Sequence, residues 1–474
     1  MSKKRGGTAI NIALARLSIY LVILQGRFLL KLKTKTMERT LIKDLKQKIG
    51  QEATIFGWAQ TIRDQGSIKF LVIRDITGTI QAVVLKENKE AFGIAEKLTT
   101  ESVVEITGEV KEEKQAPDGI EIKIKEIKIL SLADPGLPIQ VVEKSNNNEA
   151  EQQIRLDWRW IDLRKPEKAL IFKVWTEMEQ AFRNYCISNS YIEIHSPKTL
   201  ITSTESGSEL FEVKYFGKKA YLAQSPQLYK QMAMAAGFEK VFEVGPVFRA
   251  NPSFTSRHDT EFTMYDVELS FINSHQQLMV EEEKMMVVMF SSIKEKYGEE
   301  IKKDYDQEIT VPKIPFPKLT LREAKEILKK LNVLSERGED LSPEEEKAIS
   351  QYIKEKEGQD FVFIHEWPAS VRAFYSMRLE SDPTLTKSFD LLYKGLEVTS
   401  GAQREHRYEQ LKKQIEEKGF KTEPFESYLN FFKYGCPPHG GFAPGPSRIL
   451  MKIFGLTNVR EVTYLYRGVN RLTP

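Results

Sequence analysis

Cysteine is nearly missing from this sequence: Cys186 and Cys436 are the only two in 474 residues. That excludes a disulfide scaffold and any Cys-rich zinc site, and it fits a reducing, cytoplasmic compartment. No charge-free apolar run reaches the roughly 18 residues of a bilayer-spanning helix, so no membrane partner is expected. The phosphate loop G-x-x-x-x-G-K-[ST], the metalloprotease motif H-E-x-x-H and the nucleophile elbow G-x-S-x-G are all missing. Six histidines scattered along the chain predict no metal cluster. Net charge is also small, at +3.

That balance hides an asymmetry. Residues 1–36 carry eight Lys/Arg and no acid, which leaves 62 of the 70 basic residues against 67 acids in the remainder. A net-acidic body still accommodates nucleic acid, because a local basic groove suffices. The extension 1–36 has three competing readings: a targeting peptide, a basic tail that touches RNA or membrane, or a start codon placed too far upstream. Met37 begins a stretch (MERTLIKDL) that reads as an ordinary domain start.

What is present reads as an ordinary globular chain, 41% apolar and 29% charged, long enough for two or three domains. Between 52 and 131 short strands dominate. Ile120, Ile122, Ile124, Ile127 and Ile129 follow period-two spacing after the turn Pro117-Asp118-Gly119, and Asp75-Ile76-Thr77-Gly78 separates two apolar runs like a hairpin. About five strands in such a span predict a small closed barrel, of the oligonucleotide-binding kind or another antiparallel type. Residues 133–152 are rich in Pro, Asn and charge and mark a linker. Pro166 opens a helical pattern with Ile171, Val174, Trp175, Met178, Phe182 and Tyr185 on one face. Thr320-x-x-Glu323 and Ser342-Pro343-Glu344-Glu345 are capping signatures within a solvent-facing insertion at 318–357. The C-terminal ~310 residues read as an α+β domain.

Three stretches carry chemistry. Phe248-Arg249-Ala250-Asn251 runs through Arg257-His258-Asp259 to Glu261-Phe262-Thr263 and Asp266, offering planar cations for a polyphosphate and an aromatic face for a base. Asp390 and Glu397 are carboxylates spaced for a hard cation beside a phosphate. Gly440-Gly441-Phe442-Ala443-Pro444-Gly445-Pro446-Ser447-Arg448 is a Gly-rich turn entering a helix, where backbone amides and Arg448 could face an anion. Taken singly, each has a bland reading as surface ion pairs or solvated acids.

Together these stretches resemble the class II aminoacyl-tRNA synthetases, and within them the aspartyl enzymes of archaeal/eukaryotic type. The resemblance spans Met37 to Pro474. SYIEIHSP (190–197) is similar to the class's first motif, which builds a homodimer interface. FRAN with RH and EFT resembles the second motif, and GFAPGPSR (441–448) the third. GWAQTIRDQGSIKFLVIRDITGTIQ (57–81) resembles the family's anticodon-binding barrel and RLDWRWIDLR (155–164) its hinge. QSPQLYKQ (224–231), EVTSGAQREH (397–406) and the terminal RLTP point to the aspartyl branch.

The resemblance implies an α+β chain. An OB-fold anticodon-binding domain would occupy 37–135, a hinge 136–165 and an antiparallel-sheet catalytic domain 166–474. It also implies ATP as a substrate, Mg²⁺ as a cofactor, and tRNA(Asp), L-aspartate and a second copy of the chain as partners. Lys230 and Arg404 would hold the aspartate side chain, with Gln227, Asp266, Glu205 and Ser400 near its amino group. Arg249 would clamp the α-phosphate and act with Arg448 as a catalytic residue. Arg257, His258 and Arg448 would reach the outer phosphates, and Gly445 and Glu397 would complete the ATP site. Phe262 would stack on adenine opposite Arg448, and Asp390, Glu397 and Ser400 would hold the metal. Phe70 and Gln81 would read anticodon bases; an ordinary core aromatic is the competing reading of Phe70, and Trp58 is expected in the core.

Three departures stand out: Asn251 where the family has Glu, the Pro-rich approach Ala443 to Arg448, and Tyr464-Leu465-Tyr466-Arg467-Gly468 near the end. Three readings stay open: an aspartyl enzyme with or without use of tRNA(Asn), an asparagine-accepting enzyme, and a non-catalytic tRNA-binding paralogue.

Overall fold

The computed structural model describes residues 39–142, 149–201, 210–333 and 338–474. The extension 1–36 and Glu205 lie outside the described residues. The chain divides into two compact units, Met1–Pro138 and Ile139–Pro474.

In the first unit, strands β1 (Glu52–Asp64), β2 (Ile68–Asp75), β3 (Gly78–Leu85), β4 (Val103–Glu112) and β5 (Ile120–Ser131) close into a barrel in the order β1-β2-β3-β5-β4. The expected hairpin is present, with Asp75 paired to Gly78. Period-two alternation sends Ala53, Ile55, Ala59, Leu71, Ile73, Ile80, Ala82 and Ile122 inward. Closure brings strands so near that a Cβ on Gly57 would lie 2.5 Å from the Arg74 carbonyl oxygen, so only glycine fits there. The same alternation corrects the expectation for Trp58. It shares the parity of outward-facing residues, is half-buried, and lies beneath the Arg74 guanidinium, 5.9 Å away. Phe70 also faces out, half-buried and beside Arg63 at 5.9 Å. The neighbouring Gln81 accepts from Arg63 Nη2 at 3.4 Å and donates to Glu121 at 3.0 Å.

The second unit is built on an eight-stranded sheet. Its members are β6 (Ile192–Glu193), β10 (Lys240–Phe248), β11 (Glu261–Ser270), β12 (Lys318–Thr320), β13 (Phe361–His365), β14 (Ser388–Tyr393), β15 (Leu396–Gln403) and β16 (His439–Pro444), in the order β12-β13-β14-β15-β16-β11-β10-β6. The sheet is antiparallel except at its two outer pairs, β10 with β6 and β12 with β13, which are parallel. The short strands β7 (Thr199–Leu200), β8 (Glu212–Tyr215) and β9 (Lys218–Leu222) form a separate small sheet.

One face of the large sheet is covered by the helices Pro166–Ser188, His275–Tyr305 and Pro446–Ile453. Pro166 occupies the first turn of its helix, where no N–H is needed. The apolar face opened there buries Ile171, Val174, Met178 and Phe182 against Phe242 and Tyr265, each large side chain contributing about 1.5–3 kcal/mol.

Both capping boxes form, Thr320 with Glu323 and Ser342 with Glu345. The segment 318–357 is nevertheless not a solvent-facing insertion. It supplies edge strand β12, and its helices Leu321–Lys330 and Pro343–Glu357 bury Leu321, Leu328, Ile349 and Ile353 against Val362, Ile364 and Trp367. Its charge density misleads because Glu345 and Glu346 are themselves buried, paired with Lys325 and Arg257.

The hinge sequence belongs to this second unit. Arg155 makes a two-point ion pair with Glu461 (2.9 and 2.7 Å), and buried Arg159 bonds Asp162 and the Glu461 and Thr463 carbonyls. Burial alone would raise the Glu461 pKa, but Arg155, Gln152 and Lys168 carry it down to about 2.

Candidate active site

The second face of the sheet carries a cleft of about 370 Å³. Strand parity builds its floor. On β11, Tyr265, Val267 and Leu269 enter the helix-covered core, so Phe262, Met264, Asp266 and Glu268 project the other way, the first three lining the cleft. Lys230, from the helix Gln227–Ala235, reaches Asp266 at 3.0 Å and Glu268 at 3.3 Å. Arg404, just past β15, donates to Glu268 through Nε (2.9 Å) and Nη2 (3.2 Å), and Nη2 also meets the Gly441 carbonyl at 3.0 Å. All four charged groups are at least 95% buried. Burial pushes the Glu268 carboxyl up, but Arg404 and Lys230 together hold it below its ordinary value.

This arrangement was only half legible. Lys230, Arg404 and Asp266 were expected at one place and are there. Glu268 was missed, and it occupies two donors of Arg404, a residue expected to hold the aspartate side chain. The signal for it was the continuation of period two from Phe262 through Asp266.

A neutral hydrogen-bond chain orients Gln227. Gln227 Nε2 and the Tyr428 hydroxyl both donate to Gln231 Oε1, at 2.9 and 3.0 Å. Gln231 Nε2 lies 3.0 Å from His439 Nε2, and His439 Nδ1 lies 2.8 Å from the Pro437 carbonyl oxygen. Those partners require a proton on Nδ1 and a lone pair on Nε2, the neutral imidazole. Burial holds the His439 pKa down to about 4, in agreement.

Cations gather along the other end. Arg249 sits with its guanidinium 5.5 Å from the Phe262 ring. Arg257 pairs with Glu346 at 3.0 Å, a partner the sequence reading missed because 89 residues separate the two. Arg448 bonds the Glu397 carbonyl at 2.9 Å. His258 is half-buried, and burial with Arg448 and Arg257 nearby lowers its pKa to about 4. At neutral pH it is therefore a hydrogen-bonding imidazole rather than a fourth cation. The expected anion seat of backbone amides also shrinks. The Gly445 amide donates to Val398 O (2.8 Å), Pro446 has no N–H, and the Arg448 amide donates to Gly445 O. Gly445 still lines the cleft.

Asp390, Glu397 and Ser400 also converge. Asp390 pairs across strands with Ser400, and a bulge at Val398 places both Glu397 and Leu396 one step out of simple alternation. As a result Glu397 and Ser400, three residues apart, both line the cleft. Asp390 is buried; its Oδ2 pairs with Arg372, while Oδ1 has no hydrogen-bond partner among the described residues. Burial raises its pKa to about 6, against the pull of Arg372. Two carboxylates, one of them with an orphaned buried oxygen, and a hydroxyl suit a hard divalent cation such as Mg²⁺. Arg372, which also donates to Ser400 Oγ (3.1 Å) and stacks 4.2 Å over Trp367, was not foreseen; nothing in its spacing marks it.

The cleft thus brings together Gln227, Lys230, Arg249, Arg257, His258, Phe262, Asp266, Glu397, Ser400, Arg404, Gly445 and Arg448, with Asn251 on its wall. Phe70 and Gln81 lie on the barrel of the first unit. No helix among the described residues is long and apolar enough to cross a membrane.

Comparison with known proteins agrees with this geometry. The family described as tRNA synthetases class II (D, K and N) matches residues 151–467, and the OB-fold nucleic acid binding domain matches residues 53–130. The aspartate–tRNA(Asp/Asn) ligase of Aeropyrum pernix is 43% identical over 92% of this chain and 98% of its own length. The aspartate–tRNA(Asp) ligase of Pyrococcus furiosus is 42% identical, over 90% and 97%. Among solved structures, the aspartyl-tRNA synthetase of Entamoeba histolytica superposes with a TM-score of 0.83 at 33% identity, covering 93% of this chain and 94% of that one. The asparaginyl-tRNA synthetase of Pyrococcus horikoshii bound to asparaginyl-adenylate gives 0.86 at 30%, covering 93% and 100%.

Proposed function

The chain belongs to the class II tRNA synthetases of the aspartate, lysine and asparagine group, and from that premise we propose how its residues attach L-aspartate to tRNA(Asp). The observation that carries the account is the pair Lys230 and Arg404, buried at the cleft floor and held by Asp266 and Glu268. Both cations are pure hydrogen-bond donors. They suit a side chain that presents two acceptor oxygens. Gln227, oriented by Gln231 and His439, and Asp266 receive the ammonium of the amino acid, with Ser400 beside it; Glu205 is proposed as a further partner on the sequence resemblance alone.

The α-carboxylate of aspartate attacks the α-phosphorus of ATP, and pyrophosphate leaves. No protein nucleophile is required, so catalysis consists of positioning and of neutralising charge. Arg249 clamps the α-phosphate, Arg257 and Arg448 meet the outer phosphates, and neutral His258 donates a hydrogen bond. Adenine lies between Phe262 and the aliphatic part of Arg448. When bound, Mg²⁺ supplies charge neutralisation between phosphates and would be held by Asp390, Glu397 and Ser400. In the second step the tRNA 3′-terminal adenosine takes the aspartyl group on its 3′-hydroxyl. The reaction belongs in the cytoplasm, with two copies of the chain joined through the segment 190–197.

Aminoacylation of tRNA(Asp) and tRNA(Asn), after ATP–pyrophosphate exchange with each amino acid, tests this account. Exchange with aspartate far above asparagine is expected. Comparable exchange with both would instead establish the asparagine-accepting reading, and none with either the non-catalytic one. Charging of tRNA(Asn) alongside tRNA(Asp) would show relaxed tRNA use.

In the barrel, Phe70 stacks on an anticodon base, with Gln81 and Arg63 flanking it. Phe70→Ala is expected to weaken tRNA(Asp) binding by about 1–3 kcal/mol in filter binding, the loss typical of one base–aromatic stack. Aspartate-dependent exchange should be unchanged. Because Phe70 is outside the barrel core, an unfolded barrel in circular dichroism would refute the outward placement.

A further inference from the structure

On the helix-covered face of the sheet, away from the cleft, His275, His365 and Glu366 bring three donor atoms within 4.8 Å of one another. The topology makes the meeting. His275 is the first residue of the helix His275–Tyr305, and His365 ends β13. Parity puts His365 on the same side as Phe361 and Phe363, which pack into the helix-side core, and its cross-strand partner is Phe389 of that core. Asp390, one residue on, has the opposite parity and pairs with Arg372 and Ser400, which line the cleft. The sheet therefore separates this cluster from the magnesium oxygens. The scattered histidines predict no cluster, yet two of the six meet here, because the sheet makes neighbours of residues 90 apart in the chain.

The polar accounting at this place is open. His275 is 95% buried, yet neither of its ring nitrogens has a hydrogen-bond partner among the described residues. His365 Nδ1 also lacks one, lying 3.6 Å from Glu366 Oε1. The two rings are tilted, with centroids 5.5 Å apart. A buried imidazole with both nitrogens unpartnered is costly, and buried polar groups are nearly always satisfied. Each neutral imidazole has a ring-nitrogen lone pair of the kind a metal takes, and burial disfavours the charged form of both. Glu366 is 30% exposed, which opens a route and a fourth position to solvent.

We propose that His275, His365 and Glu366 form a second metal site, for a divalent transition ion of the zinc class, clamping the start of the long helix to the end of β13. Two imidazoles and one carboxylate select zinc over magnesium, which prefers oxygen donors. Tetrahedral zinc places its donors ~3.3 Å apart, so the side chains close inward on binding. Opposing forces are present: the positive end of the helix, and the cations Lys318 and Lys387 near His275. Lys318 is paired with Glu283 at 3.1 Å, and Glu366 and Glu323 face His365 with compensating charge.

The test uses the full chain, stripped of metal by a chelator and titrated calorimetrically with Zn²⁺ under excess Mg²⁺, which fills the oxygen site. Co²⁺ serves as a visible-absorption probe of coordination. One equivalent of Zn²⁺ is expected, with the intense bands of four-coordinate Co²⁺ and a Zn²⁺-dependent rise in Tm. His275→Gln and His365→Gln should each weaken Zn²⁺ binding on the order of 100-fold or more, since loss of an outer-sphere partner alone costs 10–100-fold. Glu366→Gln should weaken it less. Unaltered binding in the histidine variants would overturn the proposal, as would weak, non-stoichiometric binding to the wild type. If the variants do not fold, the wild-type Co²⁺ spectrum decides, and octahedral-type bands alone would refute the site.

Discussion

Arg404→Lys is expected to lower kcat/KM for aspartate in ATP–pyrophosphate exchange by roughly 10²–10³-fold, although it conserves charge. Removing one preorganised donor from a water-excluded site commonly has that cost. Here the guanidinium joins three acceptor atoms at once: both oxygens of Glu268 and the Gly441 carbonyl. A lysine ammonium is a point donor and cannot span that set, so the donor left to face the substrate would lose its position.

The same floor explains why asparagine should be rejected. Asp266 and Glu268 already balance the charges of Lys230 and Arg404. Discrimination therefore rests less on an uncompensated charge than on donor meeting donor. Aspartate offers two acceptor oxygens, whereas asparagine turns an N–H₂ towards groups that cannot accept. Polar partners left unpaired in this way can separate analogues by about 10⁴–10⁵. Lys230→Met should lower the aspartate rate and narrow the preference over asparagine. An Arg404→Lys enzyme with nearly wild-type aspartate exchange would remove Arg404 from the substrate account.

Glu268→Gln is expected to destabilise the second unit by about 3–5 kcal/mol, the usual cost of breaking a buried ion pair from one side. The substitution is nearly isosteric, so packing stays and electrostatics change. Glu268 is fully buried and accepts from Arg404 twice while lying 3.3 Å from Lys230. An amide keeps one acceptor and points its N–H₂ at a cation. The expected fall in Tm is roughly 5–15 °C.

The pH dependence has a definite sign. The folded-state pKa of Glu268 is depressed, so its stabilisation is fully present above the ordinary carboxylate pKa and is lost progressively as pH falls below that value through the lowered folded-state pKa. Melting curves from neutral pH downward should show the wild type converging on Glu268→Gln. A variant as stable as the wild type at pH 7 would show that the two cations need no buried counter-ion.

Glu268 also shows where linear reading stops. Period two runs visibly from Phe262 to Asp266, and one further step reaches Glu268. Its role is invisible because its partners come from a helix 38 residues earlier and from Arg404, 136 residues later. Trp58 went wrong through parity: it follows Gly57 on β1, and only barrel closure decides which of the two faces in. Glu346, from a segment that reads as charged surface, pairs with cleft-lining Arg257, and Arg372 lines the cleft although nothing in its local sequence marks it. At Val398 one bulged residue changes which side chains share a face, and no residue type announces it.

Local patterns therefore carried much on their own. Strand alternation between 52 and 131, the proline-started helix at 166, both capping boxes and the Arg-bearing motifs are written in neighbouring residues, because periodicity and capping act within a few positions. Folding in three dimensions settled the rest: which carboxylate compensates which cation, which histidines meet, and which imidazoles stay neutral. Those outcomes depend on burial and on distances of a few ångströms between residues far apart in the chain, where removal of water makes pairing decisive.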